Sequence, residues 1–185
     1  MRNSDVHILQ HARPVDNPFF GIIEVLAVAG AVFLAAQIKI WLYWTPVPLT
    51  LQTLPVLAAA YVVGRDRAAM GIGLYLTLGA VFSMFEASGV SIFAAPFGAT
   101  TGFLIAFAIV PFVCGAIKRP ALAIATATLV LYAVGMTWFC FWAGVGPVEA
   151  FTMAIAPFII GDIAKGIVAY LVARRAQRQP ETAQA

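Results

Sequence analysis

Apolar residues run in long blocks along this chain, and the polar residues gather in the short gaps between blocks. Six blocks are distinguished, over about 21–41, 49–63, 68–85, 99–117, 121–143 and 148–173. Each approaches the ~20 residues with which an α-helix crosses a hydrocarbon core ~30 Å thick. The gaps carry turn and charge signals: Thr45-Pro46-Val47-Pro48, Gly64-Arg65-Asp66-Arg67, the small-residue loop Glu86 to Pro96, Lys118-Arg119-Pro120 and Gly144-Val145-Gly146-Pro147. The pattern predicts an all-α membrane protein, a bundle of six transmembrane helices in one domain over residues 19–175. Polar tails are expected at 1–18 and 176–185.

Composition supports lipid as the solvent. Hydrophobic residues make up 62% and charged residues 10%, against about 45–50% and about 25% in soluble domains. The net charge of +3 is small, and its placement carries more information than its size. Arg2 and Arg13, Arg65 and Arg67, Lys118 and Arg119, and Arg174, Arg175 and Arg178 all fall on one side of a six-span topology. The other side has at most Lys39 and is acidic through Glu86 and Glu149. Because cytoplasmic loops carry the excess of Lys and Arg, both termini are expected in the cytoplasm. Trp41, Tyr43, Trp44, Trp138 and Trp142 gather at the opposite membrane boundary, as interfacial aromatics do. No basic patch interleaved with aromatics exists, so no nucleic-acid partner is expected. The polar run Met1 to Pro18 is too long to begin a cleaved signal peptide, and none is expected.

The chemistry available inside the spans is sparse. No G-x-x-x-x-G-K-[ST] loop occurs, so the chain has no P-loop route to ATP. Its histidines, His7 and His11, lie in the N-terminal tail, which removes intramembrane Ser–His catalysis and an H-E-x-x-H metal site. Cys114 and Cys140 sit singly in apolar runs and read as buried thiols. No metal, cofactor or catalytic residue is expected. Glu24 falls in the first turns of the first helix, where a helix N-terminus accommodates a negative charge. Asp162 and Lys165 are different: an ionisable side chain costs roughly 2.5–3.5 kcal/mol at mid-bilayer, and their i,i+3 spacing puts both on one face of the sixth helix. Counted from Val148 they lie about four turns in, facing a site opened to the exterior. Either the pair braces the bundle or it holds a ligand.

Three further stretches offer polar or close-packing groups. Ala27, Ala31 and Ala35 form a small-residue stripe on the first helix, suited either to packing within the bundle or to docking a second membrane protein. In Val47-Pro48-Leu49-Thr50-Leu51-Gln52-Thr53, Pro48 suits a helix start, Thr50 is a candidate N-cap, and Gln52 and Thr53 set hydrogen-bonding groups at the mouth of the bundle. Gly98-Ala99-Thr100-Thr101-Gly102-Phe103 is a glycine-and-threonine start to the fourth helix, where free N–H groups can meet a polar acceptor.

Together these motifs resemble the BioY family, the biotin-specific substrate-binding (S) components of energy-coupling-factor (ECF) transporters. The resemblance runs from the first helix to the sixth. It rests above all on Val47 to Thr53, similar to V-P-x-T-x-Q-T, and on Pro157-Phe158-Ile159-Ile160-Gly161-Asp162-Ile163-Ala164-Lys165, similar to P-F-x-x-G-D-x-x-K. Leu74 to Ala80, Thr101-Gly102-Phe103 and Tyr132-Ala133-Val134-Gly135 add to it. At Gly98 to Phe107 the chain departs from the family's G-P-T-G-G-Y-L-x-G-F, lacking its proline, two glycines and tyrosine.

The resemblance implies a biotin-binding subunit for uptake across the plasma (inner) membrane, not an enzyme. Asp162, Lys165, Gln52, Thr53, Thr100 and Gly102 would then form the substrate site. It also implies a membrane coupling (T) subunit and two ATPase subunits as partners, docked on the stripe Ala27, Ala31 and Ala35. The alternatives are an S-component for another small vitamin or a biotin precursor and, from a different class, a membrane enzyme.

Overall fold

The computed structural model describes residues 18–82 and 98–182. The loop expected over Glu86 to Pro96 lies outside the described residues, as do His7, His11, Arg2 and Arg13. The architecture is helical: α1 (Pro18–Gln37), α2 (Thr53–Val62), α3 (Arg65–Phe82), α4 (Thr101–Ala116), α5 (Pro120–Ala143), α6 (Pro147–Ala154) and α7 (Ile159–Thr182). Among the described residues, three helical stretches are long and apolar enough to cross a membrane: Phe19–Gln37, Pro120–Ala143 and Pro147–Gln177. Two more, Thr53–Val62 and Thr101–Ala116, are apolar but shorter.

Two of the expected helices take a different form. The second block does not start its helix at Leu49. Residues Leu49–Thr50 form β2, paired antiparallel with β1 (Lys39–Ile40), with Lys39 opposite Thr50. A bond from the Leu51 amide to the Ile38 carbonyl (3.2 Å) extends the pairing. Thr50 is therefore no helix cap; α2 begins at Thr53 behind Gln52, with no side-chain cap bond. The sixth block is broken. After α6, Ile155 leaves helical geometry (φ −129, ψ −56) and a 3₁₀ turn over Ala156–Phe158 precedes α7. Pro157 contributes to the break, since proline lacks an amide N–H and cannot bond back to the carbonyl four residues earlier.

Packing is close where side chains are small. On α4, a Cβ added at Gly102 would meet the Trp138 Cβ at 2.3 Å; on α5, one added at Gly135 would meet the Phe103 ring at 2.3 Å. Each helix thus seats an aromatic side chain against the other's glycine, the close approach that helices in lipid rely on. Gly144, in left-handed geometry at φ +66, ends α5, and the Val145 amide bonds back to the Cys140 carbonyl.

Two apolar clusters fill the interior. The larger joins α1 through α5 and α7 around Val32, Val56, Ile72, Val110 and Ala169. The smaller gathers Val47, Ala99, Phe139, Ala150, Ala154 and Phe158. One end of the bundle is polar: Arg67 pairs with Glu24, joining α3 to α1, and Arg65 lies against Gly115 of α4. Glu24 is thus half-buried in an ion pair as well as near a helix start. Cys114 and Cys140 are both free.

Gly135→Ala should destabilise the purified chain by about 1–3 kcal/mol, the usual cost of overpacking. Gly30→Ala, where an added Cβ meets nothing within 4 Å, should be neutral or stabilising by up to about 1 kcal/mol. Thermal midpoints in detergent compare the two, and equal effects would refute the close-packing account.

Candidate functional site

The break at Pro157 determines where the intramembrane charges sit. Asp162 occupies the first turn of α7, so its carboxylate belongs to the positive dipole end of that helix. The sequence reading had both charges four turns into a continuous helix; the 3₁₀ turn corrects that. Lys165 follows one turn later, and its Nζ lies 2.5 Å from Asp162 Oδ1, both side chains about nine-tenths buried. The remaining polar capacity is largely used. Tyr132 of α5 donates to Asp162 Oδ2 at 2.8 Å, Thr53 Oγ1 lies 3.5 Å from Oδ1, and Lys165 donates to the Thr50 carbonyl at 3.0 Å. A buried ion pair persists in apolar surroundings only when such additional bonds satisfy it.

A second polar group adjoins the first. Thr50 Oγ1 donates to Gln52 Oε1 at 3.0 Å, and Gln52 Nε2 donates to the buried Tyr75 hydroxyl at 2.5 Å. Gln52 itself is buried and held at both ends of its amide. Residues 50–53 therefore form a polar strip opposite α7. The β1–β2 pairing produces it by lifting Thr50 off the helix and turning its carbonyl toward Lys165.

These groups face a cavity at the seam of the two apolar clusters. Its walls include Trp41, Leu57, Phe103, Phe107, Leu131 and Phe158, and its polar groups come from Lys39, Thr50, Gln52, Thr53, Thr100, Thr128, Tyr132, Asp162 and Lys165. Such a cavity, apolar in bulk with a few convergent polar groups, suits a small amphipathic ligand.

Of the residues singled out from the sequence, Asp162, Lys165, Gln52, Thr53 and Thr100 all line this cavity. Gly102 does not: it is buried on α4 beneath Trp138, where it serves helix packing. The alanine stripe divides, with Ala27 and Ala31 exposed on α1 and Ala35 turned into the bundle. Lining residues not assigned to the site from the sequence include Tyr132, Thr128, Lys39 and Trp41. Tyr132 is the most telling: its segment supports the family resemblance, yet a single hydroxyl in an apolar block does not disclose which way it faces. Lys39 and Trp41 read as membrane-boundary residues, because the pairing that turns this stretch toward the cavity sets Lys39 against Thr50, eleven residues on.

Comparison with known proteins follows the same lines. A biotin transporter BioY from Rhizobium etli is 32% identical over 172 residues, covering 83% of this chain and 90% of that protein. A biotin transporter BioY from Rhodobacter capsulatus is 38% identical over 157 residues, covering 72% and 81%. The fold matches the crystal structure of the S-component for biotin from an ECF-type ABC transporter with a TM-score of 0.77, over 87% of this chain and 92% of that one, at 19% identity. With the BioY family model matching residues 11–182, the chain belongs to the BioY family.

Proposed function

We propose that this chain binds biotin in the cavity between α2, α4, α5 and α7 and serves as the substrate-binding component of an ECF-type uptake transporter. One observation carries the reading: a paired Asp162–Lys165 stands beside a glutamine, threonines and a tyrosine in a cavity with aromatic walls. Biotin offers a ureido ring with two N–H donors and one carbonyl acceptor, an apolar tail and a carboxylate. The donors and acceptor match a carboxylate, an ammonium and neutral hydroxyls, and the tail matches the aromatic walls. The curated relatives are biotin transporters, which supports the same ligand.

In this reading the chain contributes recognition and others contribute energy. A membrane coupling subunit and two ATPase subunits drive the cycle, since the sequence holds no P-loop. The exposed Ala27 and Ala31 on α1 offer the coupling subunit a surface it can approach closely. Six spans in the plasma membrane, with both termini cytoplasmic, accord with the bundle end where Arg67 meets Glu24 and Arg65 meets Gly115.

Purified wild-type chain should bind labelled biotin saturably. Asp162→Asn and Lys165→Ala should each weaken binding by about 1.5–3 kcal/mol, the range for hydrogen bonds to charged groups, or roughly tenfold to more than a hundredfold. Tyr132→Phe removes one neutral donor and should cost only about 0.5–1.5 kcal/mol. Equilibrium binding checks all three; a wild-type chain that fails to bind biotin would overturn the ligand, and unchanged binding by both charge variants would return the pair to bracing the bundle.

A reporter fused after α7 should be protected from protease added outside intact cells and cleaved once the cells are permeabilised. Cleavage in intact cells would overturn the cytoplasmic assignment of the C-terminus.

A further inference from the structure

The cavity's charges do not balance. Its lining includes two cations, Lys39 and Lys165, and one carboxylate, Asp162. Lys165 is committed: its ammonium lies 2.5 Å from Asp162 and donates to the Thr50 carbonyl. Together Lys165 and Asp162 present a dipole, whose field falls off faster than that of a single charge. Lys39 has no such partner. Among the described residues, no ion pair or side-chain hydrogen bond engages its ammonium. Its location is also against the trend of the chain, since the other described lysines and arginines outside the cavity lie near α-helix ends on the polar side or in the C-terminal half of α7.

The strand pairing explains how Lys39 reaches the cavity. Directly opposed residues of an antiparallel pair project on the same face, and Lys39 stands opposite Thr50, which also lines the cavity. Trp41, two residues on, lines it too, as the alternation of an extended chain requires.

A ligand carboxylate has two cations to choose from, and electrostatics decides between them. Beside Lys165 it would also face Asp162, and two carboxylates crowded into one site disfavour each other's charged form. Beside Lys39 it meets a cation with nothing to displace. Resting on the biotin reading above, we propose that Lys39 is the specificity-determining cation that takes the ligand's carboxylate. The Asp162–Lys165 pair then serves the uncharged polar head, and the aromatic walls lie between the two. The site therefore selects free acids over neutral derivatives of the same head group.

Equilibrium binding of biotin and of biotin amide, whose carboxylate is replaced by an uncharged carboxamide, tests this on the purified full-length chain in detergent. Wild type should prefer the free acid by about tenfold or more, the scale of one charge-assisted contact. Lys39→Gln should abolish that preference by weakening biotin alone, leaving amide affinity within about twofold of wild type, while Lys39→Arg retains the preference. Amide binding by the glutamine variant doubles as proof that it is folded. The proposal is overturned if wild type binds acid and amide equally, if Lys39→Gln keeps the preference, or if that variant loses both ligands alike. Binding of neither ligand by wild type would overturn the biotin reading itself, and this assignment with it.

Discussion

The structure depends on satisfying one carboxylate inside an apolar bundle. The Asp162 carboxylate is met by an ammonium at 2.5 Å and a phenol at 2.8 Å, with a threonine hydroxyl at 3.5 Å. Those partners come from α7, α5 and α2, and Lys165 adds the strand carbonyl of Thr50. One ion pair therefore sets the relative positions of three helices and a hairpin. Removing either charge would leave the other buried without compensation, which costs far more than losing both together.

That constraint accounts for the interruptions in an otherwise regular bundle. A continuous sixth helix would place Asp162 in mid-helix, where every amide is already bonded along the chain. Breaking it at Pro157 puts Asp162 in the first turn of α7, whose dipole favours a carboxylate. The β1–β2 pairing does the complementary job on the other wall. It exposes a backbone carbonyl toward Lys165 and brings Thr50 and Gln52 alongside, which a helix starting at Leu49 would have prevented by using that carbonyl internally. Both interruptions lie at the cavity, where irregular backbone is tolerated because it lines an internal space rather than lipid.

What the sequence made legible follows the range of each interaction. Helical blocks, the polar gaps and the Asp162–Lys165 face are local patterns, readable within a few residues. The glycine at 102 was read as a ligand contact because a glycine in a helix start fits either a polar ligand or a close neighbour; only the position of Trp138 decides. Thr50 reads as a cap because a threonine two residues after Pro48 suits a helix start, yet its partner strand begins eleven residues earlier. Tyr132 is thirty residues from the carboxylate it serves, and one hydroxyl in an apolar run has no periodicity to reveal its facing. Long-range pairing hid these residues, whereas composition had already disclosed the class of protein.

The two ends of the bundle apply the same ion-pair chemistry under different dielectric conditions. Glu24 and Arg67 pair where both side chains retain about a fifth of their exposure, so water and salt screen them and their contribution to stability is modest. Asp162 and Lys165 pair where screening is weak, and a change in either partner acts at nearly full electrostatic strength. Through their bonds to Thr53, Tyr132 and Thr50 these two charges tie α2, α5 and the strand pair to α7, so the polar groups that line the cavity are the same groups that hold its walls together.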